Sequence, residues 1–147
     1  MTPWVLATHV LAWTAFVVAI AAGGRTERLA GLILLADYLA SALIFSQALP
    51  AGRVIAASTE AIAIVAILWQ AFQRDRWWLL VAAASLVLSG LTGLIAVLTP
   101  DIDRYELLSA QVGQWMIVYL ALAAGTGERW LAGEAAPGSR WPPRKRS

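Results

Sequence analysis

The sequence predicts an all-α integral membrane protein, an antiparallel bundle of five transmembrane helices with its N-terminus outside and its C-terminus in the cytoplasm. Three observations carry that expectation. Five apolar segments of about 19 to 22 residues follow one another, each long enough to cross about 30 Å of hydrocarbon at 1.5 Å per residue. The 147 residues are 60% apolar and only 14% charged, which leaves little material for a soluble core. The eleven basic residues also split unevenly between the two sides that five crossings define. Arg25, Arg28, Arg74, Arg76, Arg129, Arg140, Arg144, Lys145 and Arg146 fall on one side, and only Arg53 and Arg104 on the other. The positive-inside rule puts the larger group in the cytoplasm.

The first helix is expected over residues 4–24. Thr2 and Pro3 suit an N-cap and a first-turn proline. No basic residue precedes the apolar run and two arginines follow it, so it reads as a retained helix and not as a signal peptide. The second is expected over 29–49, after a short basic connection, and the third over 54–72, after Pro50–Arg53. The fourth, 77–98, begins at Trp77-Trp78 after Gln73–Arg76. Connections this short make successive helices antiparallel neighbours. The fifth, 107–125, follows a longer connection that carries Asp101, Asp103 and Glu106. Carboxylates there complement a helix N-terminus, and Asp103 with Glu106 has capping-box spacing. Residues 1–132 thus form one transmembrane domain. Residues 133–147 are rich in Pro, Gly and Arg and read as a disordered basic tail.

Helices in lipid associate through close approach and hydrogen bonds, so small and polar residues mark their packing faces. The fourth helix shows Ala82, Ser85, Ser89, Thr92 and Ala96 at spacings of three and four. The first shows Thr8, Ala12, Ala15, Ala19 and Ala22, with Leu6, Val10, Trp13, Val17 and Ile20 on the opposite, lipid-suited face. The fifth shows Gln111, Gln114, Val118, Ala121 and Gly125. Trp4, Trp77, Trp78 and Trp130 fall at interfacial depths. A weak likeness links the helix exits at Gly23-Gly24-Arg25-Thr26-Glu27-Arg28, Gln73-Arg74-Asp75-Arg76-Trp77-Trp78 and Gly125-Thr126-Gly127-Glu128-Arg129-Trp130.

Composition excludes several chemistries. The chain has no cysteine, hence no disulfide, thiolate metal site or thioether-bound haem. One histidine cannot make a bis-His haem within one chain, and the single lysine lies in the tail, away from any buried Schiff base. No cofactor or metal is expected. The basic residues follow topology and form no face for nucleic acid.

Intramembrane polar residues are the candidates, either as a proton or cation site or as a satisfied interhelical hydrogen-bond network, because an ionisable group in hydrocarbon is costly to retain. Glu60 is seven residues beyond Arg53, about 10 Å below the outer surface. His9, Thr92, Gln111 and Gln114 reach similar depths on three other helices, and His9 is a possible partner for Glu60. Asp37 lies nine residues beyond Arg28, about 13 Å from the cytoplasmic side, with no basic residue at its depth. Ser85 and Tyr119 approach it from the inner half. Without a cation an isolated buried carboxylate is unfavourable, so Asp37 is expected as a neutral acid that seeks a hydrogen-bond acceptor, a cation or a partner chain.

The leading functional expectation is a small accessory or scaffold subunit of a bacterial inner-membrane complex, packing against the lipid bilayer and other membrane subunits or copies of itself. The alternative is a proton- or small-cation-conducting transporter or channel component using Asp37 and the Glu60/His9 layer. An intramembrane enzyme is the weakest of the three classes, since the Ser, His and acid spacings match no catalytic motif.

Overall fold

The computed structural model describes residues 3–46, 52–99 and 104–133. They form five α-helices and, among the described residues, no strand: α1 (Pro3–Ala22), α2 (Arg25–Ser46), α3 (Gly52–Gln73), α4 (Trp77–Leu98) and α5 (Arg104–Leu131). The tail from residue 134, Thr2, Asp101 and Asp103 lie outside the described residues, as do the expected roles of each.

α4 begins and ends where the sequence places it, while the other helices depart by a few residues. α2 starts at Arg25 and not at Leu29, because the turn from α1 needs only Gly23 and Gly24. The Gly23 amide still bonds the Ala19 carbonyl at 3.0 Å, and the Arg28 amide bonds the Gly24 carbonyl at 2.9 Å, so one helix passes into the next with almost no loop. α5 continues six residues past Gly125 to Leu131. Loss of hydropathy does not end a helix: Glu128 and Arg129 are good helix formers. The stop is Gly133, at φ +72°, the left-handed conformation that favours glycine.

The helices are arranged as a ring. Each packs on its sequence neighbours, α5 closes the ring against α1, and α2 also reaches α5 across the centre. Among the described residues α1 does not pack directly on α3 or α4. Gly31 of α2 sits at the central junction, where a Cβ would lie 3.2 Å from Ala19 of α1 and 3.9 Å from Leu122 of α5. The connections Gly23–Gly24 and Arg74–Arg76 and the C-terminal turn of α5 share one end, here named the basic end because Arg25, Arg28, Arg74, Arg76 and Arg129 gather there.

The interior is filled mainly by small residues and the surface by large apolar ones. Ala12, Ala15, Ala19, Ala30, Ala63, Ala82, Ala83 and Ala121 are buried, with Phe16, Leu34, Ile67, Trp78, Leu86 and Leu122 among the larger core side chains. Exposed side chains include Leu6, Val10, Trp13 and Val17 of α1, Ile62, Val65, Trp69 and Phe72 of α3, and Leu88, Leu91 and Leu98 of α4. The expected stripes pack in their central parts: Ala12, Ala15 and Ala19 of α1, Ala82, Ser85 and Ser89 of α4 and Val118, Ala121 and Gly125 of α5 are buried, while Thr8, Thr92, Gln111 and Gln114 are half-buried and Ala22 is exposed. In water such a surface would aggregate; in lipid it is the expected exterior. Three helices are long and apolar enough to cross a membrane, within Ile55–Gln73, Trp77–Ile95 and Tyr105–Leu131. The apolar stretch of α1, Leu6–Ala22, is shorter, and α2 carries Arg25, Glu27, Arg28 and Asp37.

Candidate functional site

The polar residues inside the bundle separate into an acid pair, an interhelical hydrogen bond beside it, and a charged cluster at the basic end. Asp37 is nine residues from the last residue of α2, and Glu60 is eight residues from the first residue of α3. Both therefore lie about 12–14 Å from the end opposite the basic one. Antiparallel packing of α2 on α3 brings them to the same level, and Thr59 and Glu60 face Asp37. Asp37 is only 4% exposed. The Thr59 hydroxyl donates to the Ala56 carbonyl at 2.9 Å and lies beside the Asp37 carboxyl. Among the described residues neither Asp37 carboxyl oxygen has a hydrogen-bond partner, and Glu60 Oε1 is buried in the same condition.

Across the ring, Tyr38 of α2 and the buried Tyr119 of α5 lie near Asp37. Both belong to an aromatic cluster. Phe16 meets Tyr38 and Tyr119 edge-on at 5.8 and 5.5 Å between ring centroids, and Trp115 lies 5.6 Å from Tyr119. Trp13 packs on Phe16 and Tyr38, and the His9 ring meets Tyr38 edge-on at 6.0 Å. His9 and Glu60 stand on α1 and α3, which flank α2, and Glu60 lies beside Asp37. On the α4–α5 side, Gln114 Nε2 donates to Thr92 Oγ1 at 3.1 Å, while the Thr92 hydroxyl donates to the Leu88 carbonyl at 2.8 Å. Gln111 lies against Gly93, with its Nε2 3.7 Å from where a Cβ would stand. Ser85 and Ser89 are buried in the same helix, and Ser89 Oγ has no partner among the described residues.

Asp37 and Glu60 thus bring two acidic side chains to one level of the bundle interior, where ionisable groups are costly to retain. Among the described residues no three His, Asp or Glu side chains converge as a metal site.

The cluster at the basic end has no counterpart among the sequence-derived candidates. Glu27, 2% exposed in the first turn of α2, pairs with Arg129 in the last turn of α5, Oε2 to Nη1 at 3.6 Å. Each charge sits at the helix end whose dipole favours it. The guanidinium lies so close to Gly24 that a Cβ there would overlap Arg129 Nη1, so glycine makes the contact possible. Trp77 Nε1 donates to Glu128 Oε2 at 2.7 Å, and the buried Trp78 indole lies flat against Gly125. The three similar helix exits thus interlock with one another. Their likeness in sequence was the signal available for this cluster, and three exits converging at one end explains why the same residue types recur there.

No family model matches the chain, and neither a curated protein nor a solved structure is significantly similar to it.

Proposed function

We propose that the chain is a five-span protein of a bacterial cytoplasmic membrane, with its basic end inside, whose Asp37–Glu60 pair takes up and releases a proton or one monovalent cation as a component of a transporter or channel. The observation that supports this reading is the meeting of two acids in the bundle interior with no basic side chain expected at the depth of Asp37. A residue type that is costly to insert is retained twice, on neighbouring helices and at one level, and the pair is most stable with a positively charged occupant. Tyr119 and Tyr38 supply hydroxyl groups on the side of the pair away from α3. The inverted surface and the nine-to-two distribution of basic residues support the five spans and their orientation.

Reconstitution into liposomes under an imposed proton gradient tests the reading. The wild-type chain should dissipate the gradient, and Asp37→Asn and Glu60→Gln should abolish that flux while preserving helix content and elution volume. Unchanged flux in either variant rejects it. The cysteine-free chain also permits single-cysteine topology mapping. A membrane-impermeant maleimide should label Thr99→Cys in intact spheroplasts, and Asp75→Cys only after lysis.

A second reading, a small accessory or scaffold subunit of a membrane complex, has its own support. Large apolar side chains cover the described exterior of the helices, a surface against which another membrane chain can pack. Mild-detergent purification of a tagged chain from its native membrane, with mass spectrometry, separates the two: a stoichiometric partner supports the subunit, and a lone monomer rejects it.

A further inference from the structure

Two adjoining grooves run along α2 outside the acid pair. The larger, about 580 Å³, lies between α2 and α3 and is lined chiefly by Leu29, Ile33, Ile62, Val65, Trp69 and Gln70. The smaller, about 380 Å³, is lined by Arg25, Arg28, Leu29 and Leu32. Leu29 belongs to both, so an apolar channel opens onto two arginines at the basic end. From Gln70 to Ala61, which also lines the larger groove, α3 covers nine residues, about 13 Å along the axis.

Three features of this channel are unlike the rest of the apolar surface. Arg25 is exposed, and Arg28 makes a long bond from Nη2 to the Ala21 carbonyl at 3.4 Å, while its Nε is buried without a partner among the described residues. Both stand in the first turn of α2, where the helix dipole adds to their positive charge. Gln70, only 8% exposed, lines the groove with both amide atoms buried and, among the described residues, without a hydrogen-bond partner. It lies three residues from the basic end of α3, as Arg28 lies three residues into α2, so the unused amide and the cations share one level.

We propose that this channel binds one anionic phospholipid. Its phosphate engages Arg25 and Arg28, a glycerol-ester carbonyl accepts from the Gln70 amide, and an acyl chain lies along Leu29, Ile33, Ile62, Val65 and Trp69. The charge order suits a lipid of the cytoplasmic leaflet, where anionic headgroups concentrate and juxtamembrane arginines attract them. An arginine stem adds apolar wall below its charged head. The proposal rests on the membrane-embedded reading of the bundle and is independent of any role for Asp37 and Glu60.

Native mass spectrometry of the detergent-solubilised chain, titrated with phosphatidylglycerol, phosphatidylcholine or glycerol phosphate, tests it. The wild-type chain should retain one phosphatidylglycerol at least tenfold more readily than phosphatidylcholine. Arg25→Gln with Arg28→Gln should erase that preference, and Ala61→Trp, which fills the far end of the groove, should weaken phosphatidylglycerol binding at least fivefold with both arginines intact. Elution volume and helix content, unchanged in these variants, separate loss of the lipid site from loss of the bundle. Equal retention of the two lipids by the wild-type chain overturns the proposal. So does full competition by glycerol phosphate, which would mark a site for free phosphate, or crosslinking of Ile62→Cys to a protein in native membranes in place of lipid.

Discussion

The contact between Gly125 and Trp78 sets how closely α5 approaches α4, and Gly125→Ala measures it. A Cβ on Gly125 would lie 2.5 Å from Cδ1, Cδ2 and Cε2 of the indole. Comfortable carbon contact is about 3.5–4.0 Å, so something must move by about 1 Å. Trp78 is 0% exposed, so its ring is enclosed by the bundle. Overpacking of this kind costs about 1–3 kcal/mol, while the better helix propensity of alanine returns up to about 1 kcal/mol. Gly113 on the same helix meets nothing within 4 Å, so Gly113→Ala carries the propensity gain alone. The difference between the two variants isolates the clash and should be about 1–3 kcal/mol, with Gly125→Ala the less stable. Reversible unfolding in mixed micelles of rising SDS fraction, followed by circular dichroism, reads that difference. On a Trp78→Leu background the penalty should largely vanish. Equal stability of the two alanine variants would refute the argument, as would a penalty that survives removal of the indole.

The same assay checks the other contacts. Arg129→Leu strands the buried Glu27 carboxylate and should cost about 3 kcal/mol, the lower end for a broken buried pair because Arg129 is 14% exposed; Glu27→Leu in the same chain should recover most of it. Thr92→Val and Gln114→Leu should each cost about 0.6 kcal/mol, typical of an interhelical hydrogen bond in a membrane, with the double variant clearly less than additive. Trp77→Phe removes an exposed bond to Glu128 and should cost no more than about 1 kcal/mol.

Much of this architecture can be read one helix at a time. The five apolar runs each become a helix, and α4 matches its expected limits, Trp77 and Leu98. The Ala-Ser stripe of α4 faces inward because small and polar side chains let backbones approach where lipid supplies no hydrophobic drive. Boundaries were less legible. Hydropathy locates the point where a chain leaves an apolar layer, but α5 ends at a backbone conformation, the positive φ of Gly133, and α2 begins wherever two glycines complete a turn. The Glu27–Arg129 pair was hidden for the same reason: a connecting loop expected at Arg25–Arg28 offers no buried position, and the first turn of a helix does.

The sequence by itself determined which polar groups lie within helices. Counting residues from a charged end identifies Asp37, Glu60, Thr92 and Gln114 that way, but it sets Asp37 deeper than Glu60, whereas the packing of α2 on α3 puts the two at one level. Only the tertiary structure decided azimuth and neighbour order. A residue count says nothing about which way a helix is rotated or which helix stands beside it; those follow from how the buried alanines, the Trp78 indole and a few glycines allow five cylinders to close into a ring. With α2 between α1 and α3, Glu60 faces Asp37, and His9 meets the edge of Tyr38.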